Sequence, residues 1–184
     1  MEVSGIEQAR AIVPTAHAIV NCSGLGAATL GGVNDATLIG GGVRGQTLRV
    51  RAERQTSFFS CVTGDKQRPV YVIPQGDGTC VVGGLKVAGD VRPAADPALA
   101  DEMLRVASAW CPAIRDAEVL SHAVGWRPFR EAGVRLEIER EGAPHGASAG
   151  PGAAPRLIHN YGHGDVGVIL AWGCADDVVE LVKK

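Results

Sequence analysis

Between residues 45 and 85 the sequence breaks into short β-prone runs, each stopped by glycine, proline or a polar cluster, and this punctuation constrains the fold more than any other feature. Residues 45–51 partly alternate apolar and polar side chains, and 57–62, 70–73 and 79–85 are further strand-like runs. Asp77-Gly78 between the last two predicts a hairpin, because both residues tolerate the positive φ of a type I′ turn. A helix follows. Asp96 is its expected N-cap and Pro97 its first residue, Leu99, Met103, Val106, Ala107 and Trp110 share one apolar face, and Pro112 stops it.

The flanks of this block have a different texture. Residues 5–12 suit a short helix, and 17–21 read as a buried strand that ends in Asn-Cys-Ser-Gly-Leu-Gly. On the far side Val134, Leu136 and Ile138 alternate with Arg135, Glu137 and Glu139, as in a half-buried strand with one wet face. Residues 141–155 are Gly, Ala, Pro and Ser rich and predict a flexible loop. After a strand at 156–159, a glycine-rich turn opens a final helix over 167–184, with Leu170, Cys174, Val178 and Leu181 expected inward. Strands mixed with helices in this order predict an α/β, or mixed α+β, class.

Composition narrows the function classes. Aromatic residues are 4% of the chain against 46% hydrophobic overall, so the core must be built largely of Ala and Val and is shallow. A net charge of -2, from 18 basic and 20 acidic residues, gives no field to recruit nucleic acid or an anionic membrane. Neither an unbroken apolar span nor a basic, apolar leader is visible, so an intracellular protein is expected; the terminal Val-Lys-Lys is not the usual peroxisomal address. The five cysteines, Cys22, Cys61, Cys80, Cys111 and Cys174, are scattered and odd in number, which fits reduced core thiols better than disulfides or a zinc site.

Three segments carry chemistry. In His159-Asn-Tyr-Gly-His-Gly-Asp-Val-Gly167, glycines let a ligand approach the backbone, and free N–H groups at a helix start favour negative charge; a tight turn without a ligand fits the same residues. His159 and His163 invite a metal reading, but no helix holds them and no acidic or thiol partner is placed nearby, so no metal is expected. In Gly125-Trp-Arg-Pro-Phe-Arg130, Arg127 sits between a bulky aromatic and a proline, which suits its planar fork to bidentate capture of a carboxylate; the alternative is a surface arginine paired to an acid. In Pro69-Val-Tyr-Val-Ile-Pro74, Tyr71 either packs in the core or walls a pocket and offers its hydroxyl.

Taken in order, Asn21-Cys-Ser-Gly, Arg44-Gly-Gln, Tyr71-Val-Ile-Pro, Gly83-Gly, Gly125-Trp-Arg-Pro-Phe-Arg, His159-Asn-Tyr-Gly-His-Gly and Trp172-Gly-Cys-Ala resemble the D-amino-acid oxidase family across almost the whole chain. That resemblance implies FAD as cofactor and oxidative deamination of a D-amino acid, by hydride transfer to flavin N5, with O₂ as acceptor and a 2-oxo acid, ammonia and hydrogen peroxide as products. It implies a mixed-sheet substrate region at 45–140, flanked by 1–44 and 156–184 as the C-terminal part of a dinucleotide-binding region, in a cytoplasmic or peroxisomal protein for which a homodimer is an allowed assembly. Arg127 would clamp the substrate carboxylate and touch the cofactor, Tyr71 would hydrogen-bond to the same carboxylate, and Lys86, otherwise a solvated strand-end cation, would face the substrate side chain. Cys22, Ser23 and Gly24, with the backbone of Gly162, His163, Gly164, Asp165, Val166, Gly167, Val168 and Ile169, would meet the flavin.

Departures from the family pattern are expected to matter. The G-x-G-x-x-G turn for the FAD pyrophosphate is absent from residues 1–30, which predicts an incomplete dinucleotide region and a covering surface left exposed. Asp165 stands where glycine or serine is usual and would oppose negative charge on the flavin; Ile169 replaces a polar residue; Gln67 replaces a second tyrosine; and Lys86 admits an acidic substrate. The rival reading is a catalytically silent module that pairs with a separate flavin-binding chain. A third keeps the flavin chemistry with glycine or sarcosine as substrate.

Overall fold

The computed structural model describes residues 2–62, 69–140 and 154–184. Gln67 and most of the expected flexible loop, residues 141–153, lie outside the described residues. The chain forms two compact units, one made of residues 1–42 and 127–184, the other of residues 43–126.

The central unit holds a five-stranded sheet. Its strands are β2 (Val43–Arg51), β3 (Phe59–Val62), β4 (Pro69–Pro74), β5 (Thr79–Ala88) and β6 (Val119–Arg127), in the order β3-β4-β5-β2-β6; Arg127, the last residue of β6, already belongs to the flanking unit. The β3–β4, β4–β5 and β2–β5 pairs are antiparallel. One sheet face supplies Leu48, Val50, Val70, Val72, Cys80 and Val82 to a core that α2 (Pro97–Trp110) covers with Ala100, Met103 and Ala107. These small side chains suit a helix lying close on a pleated surface.

Local signals explain these elements except β6, for which the sequence reading has no counterpart, with two corrections. The Asp96 carboxylate accepts from the amides of Ala98 and Leu99, as an N-cap should. Trp110, expected on the inward face, is 64% exposed, because it ends the last turn where the helix leaves the sheet and Pro112 begins a 3₁₀ segment. The β4–β5 hairpin forms, but not through a type I′ turn at Asp77-Gly78. Gly76 and Gly78 take the positive φ, while the Asp77 carboxylate accepts from the amide and hydroxyl of Thr79 and closes a longer loop.

The flanking unit is built around a three-stranded mixed sheet, β1-β8-β7. Its strands are β1 (Ala18–Asn21), β7 (Arg135–Ile138) and β8 (Arg156–Tyr161); β1 runs parallel to β8, and β7 antiparallel. Two helices accompany it, α1 (Ile6–Ile12) and α3 (Gly167–Lys183). Leu157, Ile158, His159 and Tyr161 of β8 are buried, whereas β1, expected to be a buried strand, buries only Asn21 along its length.

Two further expectations fail in this unit. No residue of α3 is fully buried: Cys174, Val178 and Leu181 are half-buried, Leu170 is exposed, and Val168, Ile169 and Trp172 are 91%, 80% and 85% exposed. The period of α3 marks an apolar face correctly but not what covers it. On β7 the face expected to be wet carries Arg135, whose guanidinium donates to Glu137, Glu139 and the Tyr161 hydroxyl. Arg135 and Glu139 leave water there because they satisfy each other, while Glu137 stays exposed.

Candidate functional site

The glycine-rich segment of the flanking unit forms one wall of a cleft of about 450 Å³. Cys22, Gly24, Arg127 and Pro128 line it together with Asn160–Asp165, Gly167 and Val168. The two segments singled out around Arg127 and His159 therefore meet, although 32 positions separate them in sequence.

Backbone hydrogen bonds dictate this meeting. Residues 127–130 are gripped on one side by the 37–42 stretch, where the Ile39 amide donates to the Phe129 carbonyl and the Glu131 amide to the Thr37 carbonyl. On the other side the Gly164 amide donates to the Pro128 carbonyl, and Phe129 bridges His163. Glycine is required at two of these contacts. Gly162 has φ +85° and a Cβ there would sit 2.9 Å from Arg130 Cβ; Gly164 has φ +58° and a Cβ would sit 2.7 Å from the Phe129 ring.

Within the cleft, Arg127 is half-buried and its Nη1 is buried with no hydrogen-bond partner. A guanidinium nitrogen without an acceptor is costly, so an anionic or carbonyl oxygen is the group that would satisfy it. The Asn160 Oδ1 is likewise buried and unpartnered. Beside them α3 begins at Gly167, where its first amide groups lack intrahelical partners and carry the positive end of the helix dipole. Orphaned donors, close-approach glycines and a helix start together fit an electron-rich planar ring with an adjacent carboxylate.

Behind the cleft lies a buried polar network that sequence reading missed. The Asp35 carboxylate accepts from Arg130 Nε and from the Tyr161 hydroxyl, both at 2.7 Å, and from Thr37. Burial alone would raise this carboxyl, but the hydrogen bonds from Thr37, Arg130 and Tyr161 outweigh it and hold it well below the usual carboxylate range. His159, completely buried, lies between Glu139 at 2.5 Å and Asn21 at 3.2 Å. Burial holds its imidazole below the ordinary histidine range, against the opposing pull of Glu139. The signal that could have found this network was the density of ionisable residues on a strand otherwise reading as half apolar.

The remaining singled-out residues fall elsewhere. Tyr71 lies on β4 of the central unit opposite Gly83, half-buried, and its ring passes so close that a Cβ on Gly83 would meet the hydroxyl at 2.6 Å. Lys86 lies on β5 opposite Gly45 and is exposed. Ser23 donates its amide to Asn21 Oδ1 behind the cleft lip, Val166 precedes α3, and Ile169 faces outward. Cys22, expected among core thiols, is exposed on the lip, whereas Cys80 and Cys111 are in the core. The His163 imidazole contacts Cys174 Sγ at 3.5 Å, and among the described residues no group of three or more potential ligands could hold a metal. No helix among them is long and apolar enough to cross a membrane.

The family model of FAD-dependent oxidoreductases matches residues 1–181. A D-amino-acid oxidase of Rubrobacter xylanophilus is 39% identical over 98% of this chain and 49% of its own length. A D-aspartate oxidase of Cryptococcus neoformans is 32% identical over 93% of this chain and 50% of its own. The crystal structure of glycine oxidase from Geobacillus kaustophilus superposes with a TM-score of 0.70 at 24% identity, covering 90% of this chain and 41% of that one, a likeness of fold. The chain thus spans about half the length of the curated relatives it matches.

Proposed function

Because the chain belongs to the FAD-dependent oxidoreductase family, we propose that it supplies the flavin-edge and carboxylate-binding part of an oxidase that converts D-amino acids to 2-oxo acids, ammonia and hydrogen peroxide. The observation that carries this reading is Arg127, half-buried and with an unpartnered Nη1, in the lining of a cleft walled by Gly162–Asp165 and Gly167.

Bound flavin would supply the two-electron oxidation at the substrate α-carbon. Arg127 would hold the α-carboxylate, which fixes the α-carbon's approach and converts an encounter into an oriented one. The backbone around Gly162, His163, Gly164 and Val166–Ile169 would face the ring edge, the α3 N-terminus favouring negative charge there. Cys22, Ser23 and Gly24 would form the opposite lip. Asp165, on the same wall, works against that charge, so weaker stabilisation of reduced flavin is expected. Family-typical tight sulfite addition would contradict it. No side chain need act as a base.

Tyr71 and Lys86 keep the substrate roles that the resemblance implies, a hydroxyl for the carboxylate and a cation for the side chain. Lys86→Met should shift the ratio of D-aspartate to D-alanine turnover; an unchanged ratio removes Lys86 from specificity. The central experiment titrates the purified chain with FAD by fluorescence and follows D-alanine-dependent peroxide. Arg127→Ala should leave flavin binding within a few-fold and lower kcat/KM by about 100-fold or more, as for a lost charge-assisted pair. Equal turnover in Arg127→Ala would refute the assignment.

A second reading is favoured by the bare apolar surface of α3, with Val168, Ile169 and Trp172 exposed: a module without activity of its own that works with a separate flavin-binding chain. Flavin binding by the purified chain alone would decide against it.

A further inference from the structure

Two buried side chains behind the cleft have no part in the proposed chemistry, yet their hydrogen bonds link its two lips. His159 sits on β8 directly before Asn160, and Asn21 ends β1 directly before Cys22. The two are register partners in the parallel β1–β8 pair, completely or almost completely buried, and their side chains meet at 3.2 Å between Asn21 Nδ2 and His159 Nδ1.

The hydrogen-bond directions are fixed from both ends. The Ser23 amide donates to Asn21 Oδ1 at 3.1 Å, which occupies the carbonyl and turns the NH₂ toward the ring. His159 Nδ1 must therefore accept. At the other end Glu139 Oε2 also accepts from Arg135 Nη2 at 3.0 Å, and to a carboxylate oxygen held by a guanidinium the His159 Nε2 donates. Both ends require one state, a neutral imidazole protonated on Nε2.

We infer that Asn21 and His159 are positioning residues: the Asn21 amide holds His159 in its Nε2–H tautomer, and this pair keeps the Cys22–Gly24 lip in register with the Asn160–Val168 lip. A second proton on His159 would set an Nδ1–H against the Asn21 NH₂, donor against donor. Asn21 would then have to turn, releasing the Ser23 amide and the lip behind it. The charges around the ring are Glu139, Glu137 and Arg135 of β7, with the Tyr161 ring edge-on from β8 itself, while β1 presents the neutral Asn21. That the cleft takes a flavin edge rests on the proposed function; the tautomer and the lip do not.

The test uses the full chain and nitrogen-resolved NMR of its histidines. His159 should show an unprotonated Nδ1 and a protonated Nε2 at neutral pH and titrate below the ordinary histidine range; an Nδ1–H tautomer or an ordinary titration overturns the inference. Asn21→Asp keeps an acceptor for Ser23 but offers Nδ1 a carboxylate, so His159 should be doubly protonated at neutral pH with the Ser23 amide still protected. Asn21→Leu removes both contacts, and the Ser23 amide should exchange about tenfold faster or more; unchanged exchange in Asn21→Leu overturns the positioning role. FAD titration follows as a separate arm. If the wild-type chain binds FAD, Asn21→Leu should weaken it about tenfold and Asn21→Asp less; equal affinity in all three overturns the link between lips and ligand. If the wild-type chain binds none, the proposed function fails while the NMR arms still judge the inference.

Discussion

The two units of this chain fill their interiors differently. The central unit closes an antiparallel sheet with α2 around Leu48, Val50, Val72, Val82 and Met103, all apolar and all buried, and ties its buried Arg44 and Gln46 to the backbone carbonyls of Arg92, Ala94 and Asp96. Beside β8, the flanking unit buries Asn21, Asp35, His159 and the ring of Tyr161, tied to Arg130, Arg135 and Glu139, and leaves α3 with an uncovered apolar face. A hydrophobic interior tolerates changes of pH and is damaged mainly by loss of volume. A polar interior depends on each partner's protonation state and geometry, and it can hold backbone and side chains at a cleft in one arrangement.

The sharpest way to break the contrast is to remove a charge from the flanking interior. Asp35→Ala leaves Arg130 and Tyr161 without their shared acceptor and should cost about 3–5 kcal/mol, the range for a buried pair stripped of one partner. Denaturant unfolding with exchange read separately on 127–184 would check it. A loss under about 1 kcal/mol would mean that water replaces the carboxylate readily. For the central unit the comparable change is Met103→Ala, expected to cost about 2–5 kcal/mol through transfer and cavity terms, with no dependence on pH between 5 and 8.

Acid should separate the units next. The folded His159 is held below its unfolded value by burial, so the folded state binds fewer protons and loses stability as pH falls through the ordinary histidine range, near 6.5. Asp35 acts lower down: its folded carboxyl is depressed, so its contribution is complete above the unfolded value of about 4 and is lost as pH falls below it. Amide protection, corrected for intrinsic rates, should therefore decline between pH 7 and 5 in β1 and β8 while β4 and β5 hold. Parallel decline in both would erase the distinction. The smallest effect is expected for Trp110→Ala, within about 0.5 kcal/mol, because the ring is mostly in solvent.

Much of the central unit is legible in the sequence, since β-branched runs, an Asp-Pro helix start and a proline stop are local statements about backbone preference. The β4–β5 turn escapes because two glycines and an Asp side chain admit more than one closure, and the longer one lets Thr79 be satisfied. At the cleft, Arg127 and the glycine-rich turn stand out by residue type. Asp35 does not, for nothing in its own neighbourhood distinguishes it from a surface polar residue, and the Asn21 motif and the charges of β7 do not name their partners.

The sequence by itself determined the order of the strands and helices other than β6, the family, and which arginine and which glycines carry recognisable motifs, because these depend on spacing along the chain. Only the tertiary structure decided that residues 127–130 dock on Gly164, that His159 accepts from Asn21 while donating to Glu139, and that α3 keeps its apolar face exposed. The first two outcomes depend on hydrogen-bond partners distant in sequence, 20 positions apart for Glu139 and His159 and 138 for Asn21 and His159, and the direction of each bond is set by what occupies the other lone pair or proton.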